Sequence, residues 1–342
     1  MKAKKKYKLA LLGTDSLRGK EIKNVFAQKK FPAFDLEFFD PEVEEEYSKL
    51  TEFKKEPKVI HGLQSDALAS MDLVFLASDR ETNLAYGKRA LAGEFKAIDL
   101  SEAFNDRTDV PLLVAGVNDG EVKADGGLLV ANPHPATIML APMFDRLRPT
   151  FGLAKAVAFV LEPVSAFDDP GIQELASQSV ALLNSHTPKK KVFKEQIAYN
   201  LLSHTGPTDD HGFRPDELRV ASEIRRVLAS PDFPLALSFI QAPVFHTYSI
   251  MTYLELEREA GLDDLEALFA ESPVFEMSPF REGCSASSVS VSGKDEIFVG
   301  QLKTEAANPR AVWIWLVADN LTRGSALNAF ELARRILTAK AV

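Results

Sequence analysis

A short apolar run, Tyr7 to Leu12, ends at Gly13, and the period of the pattern then changes. Ile22, Val25 and Phe26 recur at helical spacing between Gly19 and Gln28. This predicts a buried parallel strand followed by an amphipathic helix. Leu36 to Phe39, Val59-Ile60, Leu73 to Ala77, Lys96 to Asp99 and Leu112 to Val114 read as further strands. Thr82 to Ala92 reads as a helix stopped by Gly93. Strands alternating with helices predict a doubly wound parallel sheet.

From about Pro149 the pattern changes. Ala154 to Val160, Val244 to His246, Tyr253 to Glu257, Ile297 to Leu302 and Ala311 to Ala318 read as longer strands, several rich in β-branched and aromatic residues. Two helical stretches, Gly171 to Leu183 and Pro215 to Leu228, lie among them, and an amphipathic helix, Ser325 to Ala339, closes the chain. The expected organisation is α/β: a first domain with a doubly wound sheet, followed by an α+β domain. Val312 to Val317 is apolar on both faces, so both must be covered. We expect helices on one face and a second copy of the chain on the other.

Composition narrows the partners. A chain of 342 residues is long enough for two domains, and 46% hydrophobic with 26% charged residues is an ordinary globular balance. A formal net charge of -9 argues against nucleic acid, whose phosphates it would repel. The basic runs Lys4-Lys5-Lys6 and Lys189-Lys190-Lys191 read as solvated surface. No apolar run reaches the length of a membrane span. A single cysteine, Cys284, excludes an intrachain disulfide and reads as a small buried hydrophobe. No His/Cys pair has metal-ligand spacing, and the cytoplasm is the expected compartment.

Gly13-Thr14-Asp15-Ser16-Leu17-Arg18-Gly19 lies between the first strand and the first helix, where backbone N–H groups can face a diphosphate. Gly13 and Gly19 match the glycine fingerprint, and Ser16 replaces its middle glycine. Asp40 follows about twenty residues later, where an acid would bond a ribose 2′-hydroxyl. Glu42, Glu44, Glu45 and Glu46 make that corner acidic and disfavour a 2′-phosphate. Gly13, Ser16, Leu17, Gly19 and Asp40 are therefore candidate contacts for NAD, with NADP disfavoured. A tight strand–helix turn without any nucleotide is the competing reading.

Several motifs carry a resemblance. Asn132-Pro133-His134-Pro135-Ala136-Thr137 resembles the Asn-Pro-x-Cys-x-Thr element of the aspartate-semialdehyde dehydrogenase family. Ile98 to Phe104, Val110 to Asn118, Tyr199-Asn200 and Ala318 to Ala329 resemble other elements of that family. Gln241-Ala242-Pro243-Val244-Phe245-His246-Thr247-Tyr248-Ser249 is similar to its Arg-x-Pro-Val-x-x-Gly-His-Ser. The resemblance covers nearly the whole chain. It implies a glyceraldehyde-phosphate dehydrogenase-like fold, with a Rossmann-type dinucleotide-binding domain over 1–132, completed by the C-terminal helix over 323–342, and an α+β dimerisation domain over 133–322; it places Asn132 and Asn320 near a nicotinamide.

The resemblance also implies which chemistry is missing. Pro135 stands at the nucleophilic cysteine, and proline has no nucleophilic atom. Gln241 stands at the arginine that grips the substrate carboxylate, and an amide cannot replace a guanidinium fork. Tyr248 stands at the general-base histidine, and a phenol is a poor base near neutrality. Asn105 replaces a phosphate-gripping arginine, Glu162 an active-site glutamine, and Ser165 to Asp168 a Ser-Gly-x-Gly loop. Asp216 and Arg219 keep the sign of the family's substrate contacts, and also read as a solvent-facing helix start. His134 and His246 flank the altered positions, with His246 on the side of Tyr248 if the strand is regular. The chain is thus most similar to the catalytically degenerate, Usg-like branch: a homodimer with weak or no NAD binding, serving an unknown protein partner. An oxidoreductase moving hydride without a thioester is the alternative.

Overall fold

The computed structural model describes residues 6–43, 49–63, 67–121, 129–203, 205–283 and 285–338. Cys284, Lys4, Lys5 and Glu44 to Glu46 lie outside the described residues. The chain divides into two compact units, residues 1–134 with 325–342, and residues 135–324.

The first unit follows the order β1 (Tyr7–Leu12), α1 (Leu17–Gln28), β2 (Phe34–Phe39), β3 (Lys49–Phe53), β4 (Glu56–His61), β5 (Leu73–Leu76), α2 (Arg80–Leu91), β6 (Ala97–Asp99) and β7 (Leu129–Ala131). These strands form one sheet in the order β3-β4-β2-β1-β5-β6-β7, parallel throughout except for the β3–β4 hairpin. The central strands β1 and β5 are buried from Leu9 to Leu12 and from Leu73 to Leu76, as their continuous apolar runs require.

The second unit contains α3 (Pro135–Phe151), β8 (Lys155–Glu162), α4 (Asp168–Leu183), α5 (Pro215–Val227), β9 (Leu235–Gln241), β10 (Tyr248–Glu255), α6 (Leu262–Ala270), β11 (Phe275–Met277), α7 (Ser288–Val291), β12 (Ile297–Glu305) and β13 (Asn308–Ala318). A six-stranded mixed sheet runs β11-β12-β13-β10-β8-β9. After a π-helical turn over 322–327, α8 (Asn328–Thr338) returns to the first unit. There Phe330 packs edge-on to Phe26 of α1 at 4.9 Å, and the Tyr7 hydroxyl donates to the Leu337 carbonyl at 2.6 Å.

The two faces of the six-stranded sheet differ. Ala156, Ala158 and Val160 of β8, Ile250, Thr252 and Leu254 of β10, and Val312, Ile314 and Leu316 of β13 are buried on one face. On the other, Phe159, Met251 and Trp315 stand in one cross-strand row, and Val157, Tyr253 and Trp313 in the next. Phe159 is 44% exposed, and the other five are half-buried. One end of this face is covered, where Val291 of α7 and Ala286 pack on Val317.

Several expectations need correcting. Leu112 to Val114 is not a strand: Leu112 makes an isolated bridge to Ala131, and β7 takes the sheet position. Val244 to His246 is a turn between β9 and β10, so its apolar, β-branched look misled. The strand expected over Tyr253 to Glu257 lies over 248–255. Helix α3 has no counterpart among the expected elements, and it carries Pro142 and Pro149 in its interior. Among the described residues no helix is long and apolar enough to cross a membrane.

Candidate functional site

In the first unit the loop after β1 meets the start of α1. Gly13 has φ +87°, and a Cβ there would lie 2.4 Å from the Ser78 backbone nitrogen. A Cβ on Gly19 would lie 2.1 Å from the Gly13 carbonyl oxygen. Both positions therefore require glycine. Ser16 does not: its φ is -63° and ψ 161°, an ordinary N-cap conformation. Its Oγ accepts from the Gly19 amide at 2.9 Å and donates to the Ala77 carbonyl at 2.7 Å. The serine that replaces the middle glycine is folded back into the loop as the cap of α1. Leu17 begins that helix.

This loop borders a cavity of about 1060 Å³. Gly13, Asp15 and Ser16 line one side, and Asp40, Glu42 and Val43 after β2 line another. Ser78, Asp79, Thr82 and Tyr86, from the start of α2, complete it together with Lys49 of β3. Buried Asp99 supports this wall. Its carboxylate accepts from Asn83 Nδ2 and from the Ser101 and Ala103 amides, while Asn83 Oδ1 accepts from the Ser78 amide. Burial pushes the Asp99 carboxyl above its usual value. The Thr82 hydroxyl holds Asp79 below its own. Among the described lining residues, Asp15, Asp40, Glu42, Asp79 and Glu81 set five carboxylates against one ammonium, Lys49. Lys49 Nζ lies 2.6 Å from Asp15 and 3.9 Å from Asp40, and the hydrogen bond to Asp15 raises its proton affinity.

Asn132, at the end of β7, is buried, and its side-chain oxygen accepts from Asn328 Nδ2 at 2.8 Å. Asn105 is buried and donates to the Asn132 carbonyl at 3.4 Å. His134 is buried in the same unit.

In the second unit three altered positions converge. Glu162, at the end of β8, is almost fully buried. Its Oε1 accepts from the Tyr248 hydroxyl at 3.2 Å, and its Oε2 from Arg214 Nη2 at 3.0 Å. Gln241 Nε2 donates to the Glu162 carbonyl at 2.9 Å, which its place beside Glu162 in the β8–β9 register allows. Arg214 also reaches Asp216 at 3.3 Å, and Arg219 pairs with Asp216 in turn. The solvent-facing reading of Asp216 and Arg219 is thereby corrected: their side chains are 30% and 23% exposed and form the outer end of this network. Burial pushes the Glu162 carboxyl up, because one guanidinium shared by two carboxylates does not fully offset its desolvation.

Arg214 was missed in the sequence because no motif contains it. The available signal was its place just before Pro215, where an N-cap residue is drawn into the helix start. Lys49 was missed with its hairpin. Lys54 and Lys55 both have positive φ at the β3–β4 turn, where Asn-Gly would have announced it.

Pro135 is the first residue of α3, and its Cβ would be 2.8 Å from a Cβ added at Gly324. Buried Asn320 is held by its neighbours: its Oδ1 accepts from the Thr247 amide at 3.0 Å, and its Nδ2 donates to Ser165 Oγ at 3.1 Å. Thr247 has φ +75°, so the turn before β10 keeps a backbone suited to glycine. His246 lies in this turn rather than on a strand face shared with Tyr248, and its Nδ1 has no hydrogen-bond partner among the described residues. Among the described residues no group of three or more His, Cys, Asp or Glu side chains is arranged to hold a metal ion.

Residues 8–124 match the family described as semialdehyde dehydrogenase, NAD binding domain, and residues 140–323 its dimerisation domain. The chain belongs to the semialdehyde dehydrogenase family. An aspartate-semialdehyde dehydrogenase of Prochlorococcus marinus is 25% identical over 331 residues, 96% of each chain. A USG-1 protein homolog of Azotobacter vinelandii is 27% identical over 330 residues, covering 96% of this chain and 97% of its own. The structure of a probable aspartate-semialdehyde dehydrogenase from Pseudomonas aeruginosa superposes with a TM-score of 0.89 at 26% identity, covering 98% of this chain and 99% of that one. Aspartate semialdehyde dehydrogenase II from Vibrio cholerae, at 20% identity, shares the fold with a TM-score of 0.89 over 97% of this chain and 99% of its own.

Proposed function

We propose that this chain is a non-catalytic, homodimeric member of the semialdehyde dehydrogenase family that binds NAD weakly and acts through a protein partner in the cytoplasm. One observation carries the reading. Three residues that the resemblance sets at altered positions are joined inside the protein: Tyr248 donates to the Glu162 carboxylate and Gln241 to the Glu162 backbone carbonyl. Arg214 closes that set as a buried ion pair. Both oxygens of that carboxylate are engaged by groups of this chain, the guanidinium and the phenol. Pro135 offers no nucleophile.

In the first unit, Gly13, Ser16 and Asp40 line a cavity that would hold a dinucleotide, whose nicotinamide would supply hydride chemistry. The five carboxylates around it support weak binding and a preference for NAD over NADP. The dimer is supported by the dimerisation-domain match and by the open sheet face with Phe159, Met251, Tyr253, Trp313 and Trp315.

The test is steady-state turnover of aspartate semialdehyde with phosphate and NAD or NADP, alongside light scattering at micromolar concentration. We expect no turnover, none restored by Pro135→Cys alone, and twice the mass of one chain. Turnover abolished by thiol alkylation would refute the non-catalytic reading, and a stable monomer the dimer. A second reading, hydride transfer without a thioester, draws on the buried Glu162–Tyr248 hydrogen bond as a proton-holding pair. It requires an aldehyde-dependent oxidation of NADH that Tyr248→Phe abolishes.

A further inference from the structure

Strand β3 is an edge strand, paired on one side only, by β4. Lys49 and Thr51 are two apart, so both point to the same face. Each is engaged by the glycine-loop region. Lys49 Nζ lies 2.6 Å from Asp15 of the loop, and Thr51 Oγ1 accepts from Lys23 Nζ of α1 at 2.6 Å. Burial pulls the Lys23 ammonium below its usual value, while the Asp15 charge opposes that shift. Two contacts thus dock the β3 edge beside the loop, with Lys49 in the cavity lining.

Asp15 is an electrostatic obstacle at this place. It lies in the turn whose backbone would face a diphosphate, and like charges a few ångströms apart repel. We infer that Lys49 is the residue through which this cavity tolerates a diphosphate: it neutralises Asp15 and leaves Asp40 to the ribose. The inference rests on the nucleotide reading above and adds to it a specificity-determining residue outside the glycine loop. The 3.9 Å to Asp40 places the ammonium between the loop and the acid after β2, where the phosphate and ribose ends of an adenosine diphosphate would meet. The pair is 43–44% exposed, so the ammonium can turn from Asp15 toward a phosphate oxygen at small cost.

Calorimetry with adenosine, ADP and NAD on the full chain tests this. Lys49→Ala is expected to weaken ADP and NAD at least fivefold and to leave adenosine unchanged. Lys49→Arg should retain ADP affinity. Asp15→Asn should tighten ADP and NAD, and Lys49→Ala should then cost less than in the wild type, because the two residues are coupled. Equal loss of adenosine and ADP in Lys49→Ala would show a structural strand residue and overturn the inference. So would unchanged ADP and NAD binding, with the nucleotide reading intact. If neither wild type nor Asp15→Asn binds adenosine, ADP or NAD, the nucleotide reading falls and the inference with it.

Discussion

Ser16 and Thr247 both stand where the family pattern has glycine, and the two units treat the replacement differently. At Ser16 the backbone is extended, at φ -63°, and the hydroxyl caps α1. At Thr247 the backbone stays at φ +75°, the side chain is fully buried, and its hydroxyl has no partner among the described residues. The first unit has absorbed the change into a better helix start. The second carries it as strain next to Tyr248. A loop built on Gly13 and Gly19 keeps its shape whatever fills the middle position. The second unit keeps a glycine-like backbone at Thr247 and fills its interior with hydrogen bonds among Glu162, Arg214, Gln241 and Tyr248.

The largest expected effect breaks the second unit's network. Glu162→Ala would leave Arg214 buried, its Nη1 already without a partner. Removing one member of a buried pair costs about 3–5 kcal/mol. Urea denaturation should show this loss, while Asp15→Ala in the exposed pair of the first unit should change stability by less than about 1 kcal/mol. Equal effects would mean that the Glu162–Arg214 pair is hydrated and carries no special weight. pH sharpens the same contrast. The folded protein holds the Glu162 proton more tightly than the unfolded chain, whose reference value is 4.5. That contribution is present below the unfolded value and is lost as pH rises through the folded one. The stability advantage of wild type over Glu162→Gln should therefore shrink from pH 4.5 toward neutrality. An advantage that grew with pH would reverse the assigned direction.

The next effect concerns the nucleotide unit alone. Asp40 is mostly buried at the cavity edge, and its Oδ1 accepts from the Glu42 amide. A 2′-phosphate there would meet Asp40 and Glu42 together. NAD should bind at least tenfold more tightly than NADP, about 1.4 kcal/mol, and Asp40→Ala should narrow the gap. Equal affinity in a titration would mean that Lys49, rather than Asp40, governs the ribose end.

What was legible in the sequence follows the same division. The buried strands β1 and β5 and the loop between Gly13 and Gly19 could be read directly, because a parallel strand's apolar run and a glycine forced by close backbone contact are local facts. The family resemblance was legible in the motif around Pro135. The buried network around Glu162 was not. The Glu162–Arg214 contact spans 52 positions, and Tyr248 reaches Glu162 across 86. Such pairings exist only once β8, β10 and α5 are assembled. The β3–β4 hairpin was hidden by lysines at its turn, and α3 had no counterpart among the expected elements.

The smallest effect returns to the two glycine positions. Thr247→Gly removes a β-branched residue from positive φ, where strain is of order 1–3 kcal/mol. It also removes a buried hydroxyl without a partner, a further cost of about 1–3 kcal/mol in the wild type. Against this stand the lost burial of two carbons, Cβ and the methyl, about 1.6 kcal/mol, and the extra unfolded-state freedom of glycine, about 0.5–1 kcal/mol. The balance favours glycine, and the variant should be more stable by about 1 kcal/mol in chemical denaturation. Ser16→Gly should instead lose a few tenths of a kcal/mol, because glycine is itself a tolerated N-cap. Opposite signs at the two sites would confirm that the first unit adapted to its replacement while the second endures it. A destabilised Thr247→Gly would show that the threonine packs well enough to outweigh its backbone, and the contrast between the units would fail there.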